Sequence, residues 1–150
     1  MVTRTRLDDS PCPVARSVDA IGDWWSLLIV RDAFDGSRRF GEFQRSLGVA
    51  KNILTARLRT LVAGGVLESV PASDGSAYRE YVLTAKGRAL FPVVVALRQW
   101  GEEYFFGPDE PHSRLVDREQ GCGLRPLEVR AADGRLVGPD DTTVRKVSPG

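Results

Sequence analysis

Lys51, Asn52, Thr55 and Arg59 follow one another at steps of one, three and four residues. That spacing brings them to one side of a helix. Their chemistry is recognition rather than bond-making. The ammonium meets phosphate as a point charge, and the amide and guanidinium each offer paired hydrogen bonds to a base edge. Further cations lie nearby. Residues 38–59 hold Arg38, Arg39, Arg45, Lys51, Arg57 and Arg59 against Glu42 alone, a local excess of five positive charges on a chain of net charge +1. Such a concentration points to a polyanion docking on one face. Its plainer reading is a solvated charged surface.

Bond-making chemistry has few carriers. Cys12 and Cys122 are the two cysteines and His112 the one histidine. They are too few for a disulfide framework, a four-thiolate zinc site or a His-based metal centre. The sequence has neither a P-loop nor a Rossmann glycine pattern, so no cofactor is expected. No base and orienter accompany Cys12, which argues against a thiol enzyme. Cys12 nevertheless precedes Pro13, a residue suited to a first helical position. A thiol at a helix N-terminus is favoured as thiolate, and Arg16 stands one turn on. Cys12 reads either as a redox or electrophile sensor or as a small buried hydrophobe.

The elements that must position these residues are mostly helical. "PVARSVDAIGDW" and "WWSLLIVRDAFDG" carry apolar residues at helical steps, the second stopping at Gly36. "SRRF" is a brief extended piece, and "GEFQRSLG" makes two turns ending on Gly48. Within "GVAKNILTARLRTLVAGGVLE", Leu54, Leu58, Leu61 and Val62 share the face opposite the polar one, and Gly64-Gly65 ends the helix. "VLESVP" and "YREYVL" read as strands joined across Asp74-Gly75, with Arg79 on the second. Thr84 can cap one long helix over 84–106, kinked at Pro92. Leu90, Val93, Leu97 and Trp100 form an apolar stripe on it, read as the interface of a homodimer.

From Gly107 on, Pro and Gly become frequent and helical periodicity stops. A hairpin around Asp133-Gly134 and a strand "TTVRKV" are expected there. The expected division is therefore 1–106 and 107–150. The fold class is α+β and mainly helical: a winged helix-turn-helix with dimerisation helices and a small C-terminal antiparallel β extension. Such a fold binds DNA or serves as a protein-interaction module without DNA, and the basic face favours DNA. The N-terminal stretch has no apolar core for a signal peptide, and "VVVAL" at 93–97 is too short to span a bilayer. A cytoplasmic protein without membrane contact is expected.

Five motifs carry a resemblance: Cys12-Pro13, Gly22 to Gly36, Arg39 to Phe43, Leu54 to Leu61 and Leu83 to Arg88. In order and natural spacing over roughly residues 10–105, they resemble the HxlR family of MarR-like bacterial transcriptional regulators. The resemblance implies a dimeric winged-helix DNA-binding protein and no enzyme. In that family a cysteine placed as Cys12 can sense electrophiles or oxidants. Longer members carry a C-terminal extension with Cys-Gly motifs, of which Cys122-Gly123 survives here. Trp24 stands where the family usually has a small or basic residue, and Phe34 where Leu is usual. With Trp25, Trp100 and Tyr104 they read either as the wall of a pocket for a small aromatic effector or as core packing.

Overall fold

The computed structural model describes residues 6–147. The order of elements is α1 (Pro13–Ile21), α2 (Trp24–Phe34), α3 (Phe40–Leu47), α4 (Lys51–Ala63), β1 (Leu67–Pro71), β2 (Arg79–Leu83), α5 (Ala85–Arg88) and α6 (Phe91–Phe105). The chain forms two compact units, one ending at Val94 and the other starting at Val95, so the boundary falls inside α6.

The first unit is built around one core. Ile29 and Val30 of α2, Phe43 of α3 and Leu54, Leu58 and Leu61 of α4 are fully or almost fully buried, with Val66 and Leu67 where β1 begins. The buried positions of α4 recur at four and three residues, which is why this helix shows one face inward. Gly48 ends α3 at φ +62, a conformation that costs an L side chain strain, and so permits the tight turn into α4. β1 and β2 form an antiparallel hairpin in which Leu67 pairs with Leu83 and Val70 with Glu80. Asp74-Gly75 lies in its turn, as the sequence predicts. "SRRF" is no strand, but the Arg38 carbonyl accepts the Tyr81 N–H at 2.7 Å and so fastens this piece to β2.

Thr84 closes the wing. Its hydroxyl accepts the Gly87 N–H at 3.1 Å and donates to the Gly65 carbonyl at 2.5 Å, within 3.2 Å of the Val66 carbonyl. Gly87 is buried, and a Cβ there would stand 2.2 Å from the Val66 carbonyl, so only glycine permits the approach. The expected single helix over 84–106 is corrected: it breaks at Ala89-Leu90 into α5 and α6. The proline ring clashes with the carbonyl four residues earlier, here that of Arg88. The break therefore precedes Pro92, which then sits in the first turn of α6 where no N–H is needed.

In the second unit, α6 runs on to Phe105. Its Gln99 side chain donates to the Arg125 carbonyl at 3.1 Å and accepts the Leu127 N–H at 2.8 Å. Arg98 donates to the Ser113 carbonyl at 3.0 Å. The β extension is sparse, with antiparallel bridges Val116–Gly123 and Arg130–Leu136 alone among the described residues. The hairpin around Asp133-Gly134 is present as a turn with flanking bonds, Val137 N–H to Val129 carbonyl at 3.0 Å among them. The strand expected over "TTVRKV" does not form. Val144 and Val147 are exposed, so the β-branched residues there have no buried face to pack on.

Candidate nucleic-acid interface

α4 presents two unlike faces. Opposite the buried leucines, Lys51, Asn52, Thr55, Ala56, Arg59 and Thr60 are all exposed. Among the described residues Lys51 and Arg59 make no ion pair, so both charges stay available. The Thr55 hydroxyl donates back to the Lys51 carbonyl at 2.8 Å, which leaves its oxygen's acceptor side outward. A hollow of about 360 Å³ runs from Thr55 and Arg59 to Ser69 and Tyr81 of the wing. Helix face and hairpin therefore bound one continuous surface.

The remaining expected cations are differently placed. Arg57 is half-buried and its Nε lies 3.3 Å from Asp23 Oδ2, without the alignment of a hydrogen bond. Asp23 also accepts the Ser26 N–H at 2.9 Å as the cap of α2, so Arg57 ties α4 to α2 rather than joining the open face. Arg79 donates to the Ser69 carbonyl at 2.8 Å across the wing. Arg38 Nε donates to Glu80 Oε1 at 3.2 Å, and Arg39 Nη2 lies 2.5 Å from Asp74 Oδ2. The five-charge excess read from sequence is thus partly cancelled by acidic groups from outside 38–59. The residue that sequence reasoning missed is Glu80, buried to 3% exposure. Its signal was an acidic side chain at an inward position of β2, across the hairpin from Val70.

Bonds donated by the Ser73 N–H, and then by Arg38, outweigh burial and hold the Glu80 carboxyl below its ordinary range. The Ser76 N–H and then Arg39 pull Asp74 down to about 2. Both are charged at neutral pH.

Cys12 is exposed at the N-cap of α1, so its reading as a buried hydrophobe is corrected. Arg16 does not turn to it: its Nε donates to the Ser10 carbonyl at 2.5 Å. The aromatic residues are not gathered within the first unit. Trp24, 72% exposed, meets Trp25 edge-on at 5.9 Å at the start of α2, and Phe34 at its far end meets Phe91 at 5.5 Å. In the second unit Trp100 packs on Tyr104 at 5.8 Å, both exposed. Of the expected dimer stripe, Val93, Leu97 and Trp100 are exposed while Leu90 packs on the core. Among the described residues no three His, Cys, Asp or Glu side chains are grouped to hold a metal. No helix there is long and apolar enough to cross a membrane.

The model of the HxlR-like helix-turn-helix family matches residues 20–108. The uncharacterized HTH-type transcriptional regulator Rv3095 of Mycobacterium tuberculosis is 41% identical over 139 residues, 91% of this chain and 83% of its own. A crystal structure of PA1607, a candidate transcription factor, superposes with TM-score 0.88 at 61% identity over 93% of this chain and 98% of that one. The redox regulator HypR in its oxidized form superposes with TM-score 0.58 at 34% identity, over 64% of this chain and all (100%) of that one.

Proposed function

The chain belongs to the HxlR-like helix-turn-helix family, and from that premise we propose that it is a transcriptional regulator that reads double-stranded DNA through the open face of α4. One observation carries the reading: the fully buried Leu54, Leu58 and Leu61 stripe backs a face whose Lys51 and Arg59 have no ion-pair partner among the described residues. A recognition helix needs both, burial to fix its axis and free donors to reach base edges. Arg38, Arg39 and Arg79 at the wing supply phosphate contacts to the same duplex, and Arg57 holds α4 in place.

The regulator acts as a homodimer on a palindromic operator. Val93, Leu97 and Trp100 on α6 are exposed apolar groups that a second copy would remove from water. Two α4 helices would then lie about one DNA turn, roughly 34 Å, apart. Residues 1–106 carry DNA binding and dimerisation, with 107–150 as an extension on α6. The switch is a small aromatic or electrophilic effector. Exposure of Cys12 at a helix start and likeness to a redox regulator favour the electrophile.

Fluorescence anisotropy on promoter DNA tests the DNA reading. Arg59→Ala and Asn52→Ala should each cost about 1–3 kcal/mol and change base preference. Lys51→Ala should weaken all sequences alike and flatten the salt slope. Wild-type binding indifferent to salt would sink the proposal.

A further inference from the structure

Arg39 is enclosed by the wing on three sides. Its Nη2 lies 2.5 Å from Asp74 Oδ2, its Nε 3.6 Å from Glu80 Oε2, and its Cζ 5.7 Å from the centre of the Tyr78 ring. The two carboxylates are held differently. Glu80 is buried and its oxygens are shared: Oε1 accepts the Ser73 N–H at 3.0 Å and Arg38 Nε at 3.2 Å, and Oε2 accepts the Ser73 hydroxyl at 3.3 Å. The Asp74 side chain is 56% exposed in the hairpin turn. Its Oδ1 accepts the Ser76 N–H at 2.9 Å, and its Oδ2 accepts Arg39 Nη2.

We propose that Asp74 is a built-in stand-in for a DNA phosphate: it occupies Arg39 in the free protein, and a phosphate oxygen displaces it when the duplex docks. The inference rests on the DNA-binding reading above and adds to it a residue that limits affinity. Guanidinium N–H groups donate to carboxylate and phosphate oxygens alike, so a phosphate oxygen can take the place of Asp74 Oδ2 on Arg39 Nη2 without moving the arginine far. An ion pair open to water is weak, so the exchange costs little. Glu80 stays in place, because it is anchored by backbone and hydroxyl as well as by arginine. Displaced Asp74 remains beside the phosphate as a like charge. It therefore lowers affinity for every sequence equally and leaves discrimination to α4. Release by protonation is ruled out at physiological pH, since the Ser76 and Arg39 bonds keep the Asp74 carboxyl ionised down to about 2.

The test uses the full chain and random-sequence duplex DNA, with anisotropy followed against salt. Asp74→Asn keeps Oδ1 for Ser76 and turns an amide toward Arg39. Asp74→Ser removes the charge by a second route that suits the same turn. Both should bind non-specific DNA several-fold more tightly at low salt. Both should steepen the log–log salt slope by about 0.9, the value for one phosphate, because the wild type offsets the charge that Arg39 neutralises by leaving the Asp74 carboxylate unpaired in the complex. In an Arg39→Ala background the same substitutions should leave the slope unchanged. A slope unaltered by Asp74→Asn and Asp74→Ser, or altered equally without Arg39, would overturn the proposal. Loss of base preference in Arg59→Ala would still stand in that case, so α4 recognition and the Asp74 exchange fail separately. Wild-type binding without salt dependence would remove both.

Discussion

The two compact units use their apolar side chains in opposite ways. The unit ending at Val94 closes Phe43, Ile29, Leu54 and Leu58 off from water almost completely. Among the described residues from 95 on, only Val95 is buried, while Leu97, Trp100, Leu127, Val129 and Leu136 stay exposed. One unit has a core that holds helices in register. The other is fastened by hydrogen bonds from Gln99 and Arg98 and by turns. The difference teaches where precision resides. The exposed face of α4 that carries Lys51 and Arg59 stands directly on packed leucines, whereas the second unit leaves most of its apolar side chains exposed.

The sharpest way to break that contrast is to cut into each unit equally. Leu58→Ala should cost about 2–5 kcal/mol in urea unfolding, the lost transfer energy plus the cavity left behind. Leu136→Ala removes the same atoms from an exposed site and should stay within about 0.5 kcal/mol. Equal losses would mean that the extension is buried as deeply as the core. The next largest effect concerns what covers the exposed stripe on α6. Leu97→Glu should shift sedimentation toward monomer at micromolar concentration and weaken operator binding. The monomer's own unfolding should be little altered, because Leu97 is 48% exposed. Wild-type protein that sediments as a monomer would contradict the interface.

The core unit was the more legible one because local signals and packing agree there. The leucine spacing of α4, the glycine after α3 and the Asp74-Gly75 turn each state locally what the fold then uses. One feature escaped because it joins groups far apart in sequence. The pairing of Arg38 and Arg39 with Glu80 joins residues about forty positions apart, and no periodicity encodes it. The break at Ala89-Leu90 follows from a proline clash one turn upstream, so the kink was expected at the wrong residue. In the extension, the β-branched Thr142, Thr143, Val144 and Val147 imitated a strand. Such residues select a strand only where one face finds something to pack on. Most of the open face of α4 was readable, namely Lys51, Asn52, Thr55, Ala56 and Arg59, while the states of Arg57 and the surrounding arginines were not, since charge partners are set by tertiary contact.

The smallest expected effect compares acidic groups within the folded wing by pH. Asp74 ionises at about 2 in the folded chain against an ordinary 3.8, first through the Ser76 N–H and then through Arg39. A carboxyl lowered by folding favours the folded state while it is ionised, so its contribution is complete above the unfolded value. It fades as pH falls from about 3.8 toward 2. Asp74→Asn cannot titrate. The stability difference between wild type and Asp74→Asn should therefore be constant from pH 7 to about 5 and then narrow steadily on acidification. Chemical unfolding at closely spaced pH values measures it. A difference that stays constant down to pH near 2.5 would mean that Asp74 is held no more tightly in the wing than in the unfolded chain, and that Arg39 is free of it before DNA arrives.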